Sequence, residues 1–247
     1  MASIDLNADL GEGMGSDAAL LKIVSSASIA CGGHAGNADT MRIAVAGAVA
    51  NKVTIGAHPG FVDPKHFGRR RLDVPTDVLA DQIRAQVAAL QQLAEQEGGI
   101  VRYVKLHGAL ANMAAEDEAL ARALFAAVRA EDRSLAVLAL DNSAQVSAAE
   151  ALGLAVVREA YADRAYTPEG LLVSRAERGA VIEEPNAVIA QCRRLAKHGE
   201  IVAIDGSVIR SRARSICLHG DTPGAIALAG AIRTALATDG IEVASAL

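Results

Sequence analysis

Short apolar runs alternate with longer amphipathic ones along the whole chain. Runs at 27–31, 53–58, 101–105, 135–140, 155–159 and 215–218 are rich in Val, Ile, Leu and Ala. Their length and make-up predict buried strands. Between them, Thr40 to Asn51, Pro75 to Gln96, Glu116 to Ala130, Gln145 to Leu152, Pro185 to His198 and Thr222 to Thr238 have helical character, with a shorter helix over Asp17 to Val24. Val78, Leu79, Ile83, Val87, Leu90 and Leu93 fall on one helical stripe. Leu171 to Val173 and Ile201 to Ile204 read as short extra strands. Strand and helix in regular alternation predict a parallel sheet with helical crossovers. The expected fold is α/β, an irregular seven-stranded parallel β/α barrel formed by residues 1–247 as one domain. An open doubly wound sheet is the alternative.

The first stretch, Ser3 to Leu10, differs. Ile4, Leu6, Ala8 and Leu10 alternate with Asp5, Asn7 and Asp9. A strand places these sets on opposite faces. Two acids and an amide are costly in an apolar core, so that face is either solvated or lines a functional cavity. The other strands end in polar or glycine-rich segments, and four of those ends carry histidine: His34, His58, His107 and His219. Thr54 to Arg71 shows the design most fully. An apolar run stops at His58-Pro59-Gly60, and the following loop bears Asp63, His66 and the cations Arg69, Arg70 and Arg71. In barrels the loops at the strands' carboxyl ends build the active site. The fold therefore brings the histidines to one rim with Asp5, Asn7, Asp9, Glu12, Lys105, Glu159, Asp163, Arg164 and Asp221.

Histidines with carboxylates serve either as general acids and bases or as metal ligands. No compact His-x-x-x-His or His-Glu-x-x-His pair occurs. A divalent metal would have to be held across separate strands, by Asp9, His58 and His107. Lys105 and His107, two apart, share a face, and a lysine there suits an anion. Cys31, Cys192 and Cys217 show no paired metal-type spacing; the odd count predicts a reducing, cytoplasmic setting.

Composition narrows the picture further. Aromatics make up only 2% of 247 residues against 51% hydrophobic, so the core rests on small aliphatic side chains. A net charge of −5 without basic blocks excludes nucleic-acid binding through a global field. No apolar run reaches the ~18 residues of a membrane span. No Walker-type loop, Gly-x-Ser-x-Gly elbow or dinucleotide fingerprint is present.

Ordered blocks along the chain carry a resemblance. Asp5-Leu6-Asn7-Ala8-Asp9-Leu10-Gly11-Glu12, Ile29-Ala30-Cys31-Gly32, His34-Ala35-Gly36, Gly56-Ala57-His58-Pro59-Gly60, Phe67-Gly68-Arg69-Arg70, His107-Gly108-Ala109-Leu110, Ala162-Asp163-Arg164-Ala165-Tyr166 and Cys217-Leu218-His219-Gly220-Asp221 together resemble the LamB/YcsF family, the A subunits of bacterial 5-oxoprolinase. The resemblance implies a seven-stranded barrel similar to glycoside hydrolases and deacetylases. It implies ATP-dependent opening of 5-oxo-L-proline to L-glutamate, with Mg2+ accompanying the ATP, in a complex with subunits B and C. The chain departs from the family at Leu106 (usually proline), Ala111 (usually tyrosine), Gly33, Asn37 and Tyr161. On that chemistry the expected catalytic residues are Asp9, His58, His107, Asp5 and Glu12. Asn7, His34, Arg69, Arg70, Lys105, Asp163, Arg164, His219 and Asp221 are expected to bind substrate or phosphate. Two other readings compete: a stand-alone metal-dependent hydrolase of the deacetylase kind, and a non-catalytic subunit that presents substrate to its partners.

Overall fold

The structure is a computed structural model and describes residues 2–220 and 224–247. Strands β1 (Ala2–Leu10), β2 (Ser26–Ala30), β3 (Thr54–His58), β4 (Val101–Val104), β5 (Ala136–Leu140) and β6 (Val156–Tyr161) pair side by side, all parallel. A small antiparallel hairpin, β7 (Glu200–Val202) and β8 (Val208–Arg210), precedes β9 (Ser215–Leu218). β9 pairs with β6 on one side and β1 on the other, so seven strands close a barrel. The helices α1 (Asp17–Leu20), α2 (Ala38–Asn51), α3 (Thr76–Gln96), α4 (Gly108–Glu116), α5 (Glu118–Glu131), α6 (Ala144–Ala151), α7 (Pro185–His198) and α8 (Ala225–Thr238) lie in the crossovers. A last strand, β10 (Ile241–Val243), adds to the start of β1. No helix among the described residues is long and apolar enough to cross a membrane.

Four differences from the sequence expectation have local causes. The helix expected from Glu116 starts at Glu118, where Asp117 accepts from the amides of Ala119 and Leu120 as an N-cap, and an unexpected helix, α4, precedes it. Leu171 to Val173 is no strand; Leu172 makes one isolated bridge, to Tyr166. The stretch from Ile201 forms a hairpin outside the barrel. α1 is a single turn ending at Leu20. The expected start of the closing helix, Thr222, lies outside the described residues.

The alternation in β1 sorts the barrel into two environments. Leu6, Ala8 and Leu10, fully buried, join the apolar cluster with helix residues such as Leu20, Val45, Ile83 and Ile232. The interior is polar on one side and layered. In the lowest layer Asp5 accepts from Ser25, Ser26 and Ser215. Beside it Tyr103, Ala136, Leu138 and Val157 pack with Ala246 of the C-terminal segment, an apolar plug across the barrel's bottom. Tyr103 reaches across to Ser28 at 3.1 Å. Gly56 leaves room for that ring: a Cβ there would stand 2.1 Å from Cε2 of Tyr103. The middle layer holds Asn7, Lys105, Glu159 and Cys217, and the upper one opens at the carboxyl ends.

Candidate active site

The barrel's upper end holds a cavity of about 390 Å³, walled by Asp9, His58, His107, Tyr161 and His219 and, opposite, by the segment from Leu171 to Ala176. Beneath Asp9 lies Lys105, whose side chain is 2% exposed. Nζ stands 2.8 Å from Asp9 Oδ1, 3.1 Å from Glu159 Oε1, 3.0 Å from Cys217 Sγ and 3.3 Å from Asn7 Oδ1. Asn7 in turn donates to Glu159 Oε1 at 2.8 Å and Ser215 Oγ at 2.8 Å. An ammonium has three protons, and here all are spent inside the barrel. Burial alone would neutralise Lys105, but Asp9, Cys217 and Glu159 raise its pKa well above the ordinary lysine value. Burial likewise works to raise Asp9, and His58 with Lys105 overcome it, holding this carboxyl well below the usual range. Asp9 is therefore an anion fixed on the cavity floor. Glu159 is shifted the other way by burial, as is Asp5 a layer below.

Three imidazoles form the adjoining wall. His58 Nδ1 donates to the carbonyl of Lys105 at 2.8 Å, and its Nε2 lies 3.4 Å from Asp9 Oδ2 and 2.9 Å from His107 Nδ1. His107 Nε2 donates to the carbonyl of Phe67 at 2.9 Å. His34 stacks flat on His107, ring centroids 3.5 Å apart, and meets Glu12 Oε1 at 3.1 Å. Burial and the neighbouring His58 push His34 down to about 3 and His107 well below the usual imidazole value. The ligand atoms of Glu12, His34, His58 and His107 lie within 4.8 Å of one another, a grouping able to hold a metal ion. Local backbone explains the convergence. Gly11 and Gly36, at φ +73° and +80°, turn the loops after β1 and β2 back over the barrel. Gly36 packs so tightly that a Cβ would meet the Gly11 carbonyl at 2.7 Å. Gln86 of α3 clamps Gly60 from both sides, donating to its carbonyl at 2.8 Å and accepting its N–H at 3.1 Å. Gly33 makes space for that amide, since a Cβ there would stand 2.3 Å from Gln86 Oε1.

The opposite wall is cationic. His219 Nδ1 donates to Asp163 at 2.9 Å, leaving Nε2 to accept from Arg175 Nη2 at 3.2 Å. Tyr161 stacks against His219. Arg164 lines the cavity, yet its guanidinium holds the carbonyls of Ala180 and Val173 and so braces the loop. Arg69 lies over the Phe67 ring at the rim, while Arg71 is paired with Glu116 of α4.

Of the sequence candidates, Asp9, Glu12, His34, His58, His107, Asn7 and Lys105 therefore come together, and Asp163 with His219 faces them. Arg69 and Arg164 are at the same cavity. Asp5 lies beneath the floor among serines, and Arg70 turns outward to His66 at 3.3 Å. Asp221 lies outside the described residues. Lys105, expected on an anionic ligand, is committed to Asp9 and Glu159, and the metal grouping takes in Glu12 and His34 beside the expected His58 and His107. Arg175 escaped the sequence reading, and its Ser-Arg-Ala-Glu-Arg context carries no periodic or motif signal.

Comparison with known proteins agrees with this geometry. The model of the LamB/YcsF family matches residues 4–247. The chain is 47% identical over 250 residues to the A subunit of 5-oxoprolinase from Corynebacterium jeikeium, covering 99% of this chain and 97% of that one. It is 48% identical over 242 residues to the protein of the same description from Erwinia tasmaniensis, covering 98% and 99%. The crystal structure of a lactam utilization protein from Thermus thermophilus superposes with a TM-score of 0.91 at 37% identity, over 98% of this chain and 99% of that one. A family 4 carbohydrate esterase from Streptomyces lividans shares the fold, with a TM-score of 0.51 at 13% identity over 98% and 91%. With its closed barrel, its order of elements and a family match over nearly its whole length, the chain belongs to the LamB/YcsF family.

Proposed function

We propose that this chain is the A component of an ATP-dependent 5-oxoprolinase, working with subunits B and C in the cytoplasm to open 5-oxo-L-proline to L-glutamate. The observation that carries the reading is the anionic Asp9 on the floor of a polar cavity at the strands' carboxyl ends. The descriptions of the relatives supply the substrate class. A five-membered lactam resists water because amide resonance lowers the electrophilicity of its carbonyl. Transfer of the terminal phosphoryl group of ATP, with Mg2+, to the carbonyl oxygen removes that resonance. Water then adds to the carbon, the C–N bond breaks with the ring nitrogen leaving as an amine that takes up a proton, and a second water hydrolyses the resulting acyl phosphate to the carboxylate and free phosphate.

A carboxylate held as an anion is a weak base, but an activated carbon needs no strong one. Asp9 Oδ2, the oxygen that Lys105 does not take, orients the water and accepts its proton, with His58 beside it. Lys105 keeps Asp9 ionised. Arg175, oriented by the Asp163–His219 pair, takes the substrate carboxylate, since guanidinium contacts favour carboxylates. Arg69 at the rim receives the phosphate. Hydrolysis without ATP, as by a metal-dependent deacetylase, is the second reading, favoured by the histidine–glutamate grouping.

The test is glutamate formation from 5-oxo-L-proline with ATP and Mg2+, by the chain alone and with subunits B and C. Turnover only in the full mixture, with ADP released one for one and lost in Asp9→Asn, is the expected result. No glutamate in any mixture of folded subunits, or full activity in Asp9→Asn, would overturn the proposal.

A further inference from the structure

The imidazoles beside Asp9 have a proton count that does not close. A carbonyl oxygen only accepts, so His58 Nδ1, 2.8 Å from the carbonyl of Lys105, carries a hydrogen. His107 Nε2, 2.9 Å from the carbonyl of Phe67, carries one for the same reason. In the neutral rings this leaves bare lone pairs on His58 Nε2 and His107 Nδ1, and these two atoms face each other at 2.9 Å. Lone pairs at that distance repel unless a cation joins them. That cation is either an extra proton or a metal ion.

Several features favour the metal. His34, His58 and His107 are all buried, 1%, 1% and 5% exposed, where an extra proton on a ring is costly. His34 adds a third ring, 1% exposed: Nδ1 is buried without a partner, and Nε2 meets Glu12 Oε1 at 3.1 Å, a contact that a bound ion would replace. Glu12 Oε1 lies 3.8 Å from His107 Nδ1 and supplies negative charge. Ring N–H groups held by backbone carbonyls are the outer-shell bonds that aim histidine ligands at a metal.

We propose that Glu12, His34, His58 and His107 form a binding site for one divalent transition-metal ion of the imidazole-favouring kind, such as zinc or cobalt. Bonds of about 2.1 Å in a tetrahedral shell place ligand atoms about 3.4 Å apart. His58 Nε2 and His107 Nδ1 need open by only a fraction of an ångström from 2.9 Å, and Glu12 Oε1 and His34 Nε2 from 3.1 Å. Asp9 stays outside the shell. Its Oδ1 belongs to Lys105 at 2.8 Å, and it contributes a second negative charge nearby. An ion bound here would polarise a carbonyl oxygen or a phosphate in the cavity.

The proposal does not rest on the lactam reading, because its test needs neither ATP nor a substrate. The full chain, stripped of metal by chelation, is titrated with Co2+ and followed by visible ligand-field absorption and calorimetry. One equivalent of tetrahedral cobalt is expected, displaced by Zn2+. Glu12→Gln should weaken binding by 10-fold or more, roughly the range set by perturbing a metal ligand's surroundings, and His107→Ala should abolish it. Asp9→Asn should keep one equivalent of tetrahedral cobalt and lose less affinity than Glu12→Gln. Circular dichroism verifies that each variant is folded, and His34→Gln serves should His107→Ala fail to fold. No tetrahedral absorption from folded chain at equimolar Co2+ would overturn the proposal. So would binding unchanged in Glu12→Gln and in both histidine variants, or binding lost in Asp9→Asn while Glu12→Gln retains it.

Discussion

Replacing Lys105 by methionine tests the electrostatic logic of the barrel. The side chain is 2% exposed, and it faces Asp9 at 2.8 Å and Glu159 at 3.1 Å, themselves 6% and 1% exposed. Methionine fills similar volume, so the cavity penalty is small. What remains is a buried carboxylate without its ammonium. Removing one partner of a buried pair costs about 3–5 kcal/mol. For a chain of this size that is about 6–20 °C in melting temperature, at about 2–4 °C per kcal/mol. The sign of the pH dependence follows from Asp9. In the wild type its folded pKa is depressed, so its contribution is present above the unfolded value of about 3.9 and lost as pH falls through the lower folded value. Without Lys105, burial is opposed chiefly by His58, and the folded pKa rises. The deficit of the variant therefore widens as pH climbs from the wild-type folded value to the variant's, by at most about 1.4 kcal/mol per pH unit for each proton. Lys105 itself has a raised folded pKa, so its own contribution is undiminished through this window. Denaturant melts followed by circular dichroism at pH 5 and pH 8 should show the larger loss at pH 8. Adding Asp9→Asn to Lys105→Met should restore much of it, since the uncompensated charge is gone. A single variant as stable as wild type at both pH values, or a double variant no better than the single, would refute the account.

Three further outcomes follow from particular contacts. Arg175→Ala should raise KM for 5-oxo-L-proline about 10- to 150-fold, the equivalent of a charge-assisted bond worth about 1.5–3 kcal/mol, and leave a lactam lacking the carboxylate, 2-pyrrolidone, unaffected; equal effects on both would remove Arg175 from carboxylate binding. Gly56→Ala should lower the denaturant midpoint by an amount worth about 1–3 kcal/mol or more, because its methyl would press on the buried Tyr103 ring at 2.1 Å, and an unchanged midpoint would contradict that packing. Asp239 joins Arg193 and Lys197 of α7 to the end of α8, and the Arg193 hydrogen bonds, opposed by slight desolvation, hold its carboxyl down to about 2. That stabilisation is present above about pH 4 and is lost as pH falls through 2, so the melting difference between wild type and Asp239→Asn should shrink as acid is added below pH 4.

How much of this could be read from the sequence depended on whether the physical signal was local. The strands of the barrel wall are continuous apolar runs because helices cover their outer faces, and such runs are visible in isolation. The polar face of β1 was equally visible, as a cost without an explanation; the explanation is Lys105, 96 positions from Asp9. A barrel was expected from the alternation and the strand count, but the register that closes it was not visible: it sets Asp5 beside Ser215 and Glu159 beside that same serine, across distant segments. β10 is only three residues long and gains its strand partners from β1. α4 was hidden because it starts only three residues after β4, with Gly108 at φ +58° making the corner. The same distinction governs the site. The four histidines were found because each ends or follows a recognisable strand. Which of them converge was not legible, because it is set by turns in the loops. Gly11 and Gly36 bring Glu12 and His34 onto His107, whereas Asp163 draws His219 to the opposite wall. Asp9 reads as a ligand from its place beside His58, and its ion pair with Lys105, formed across the barrel, has no signal in the sequence. The cavity thus separates two cationic demands: a permanent ammonium beneath Asp9, and beside it two facing lone pairs that a proton or a metal must join.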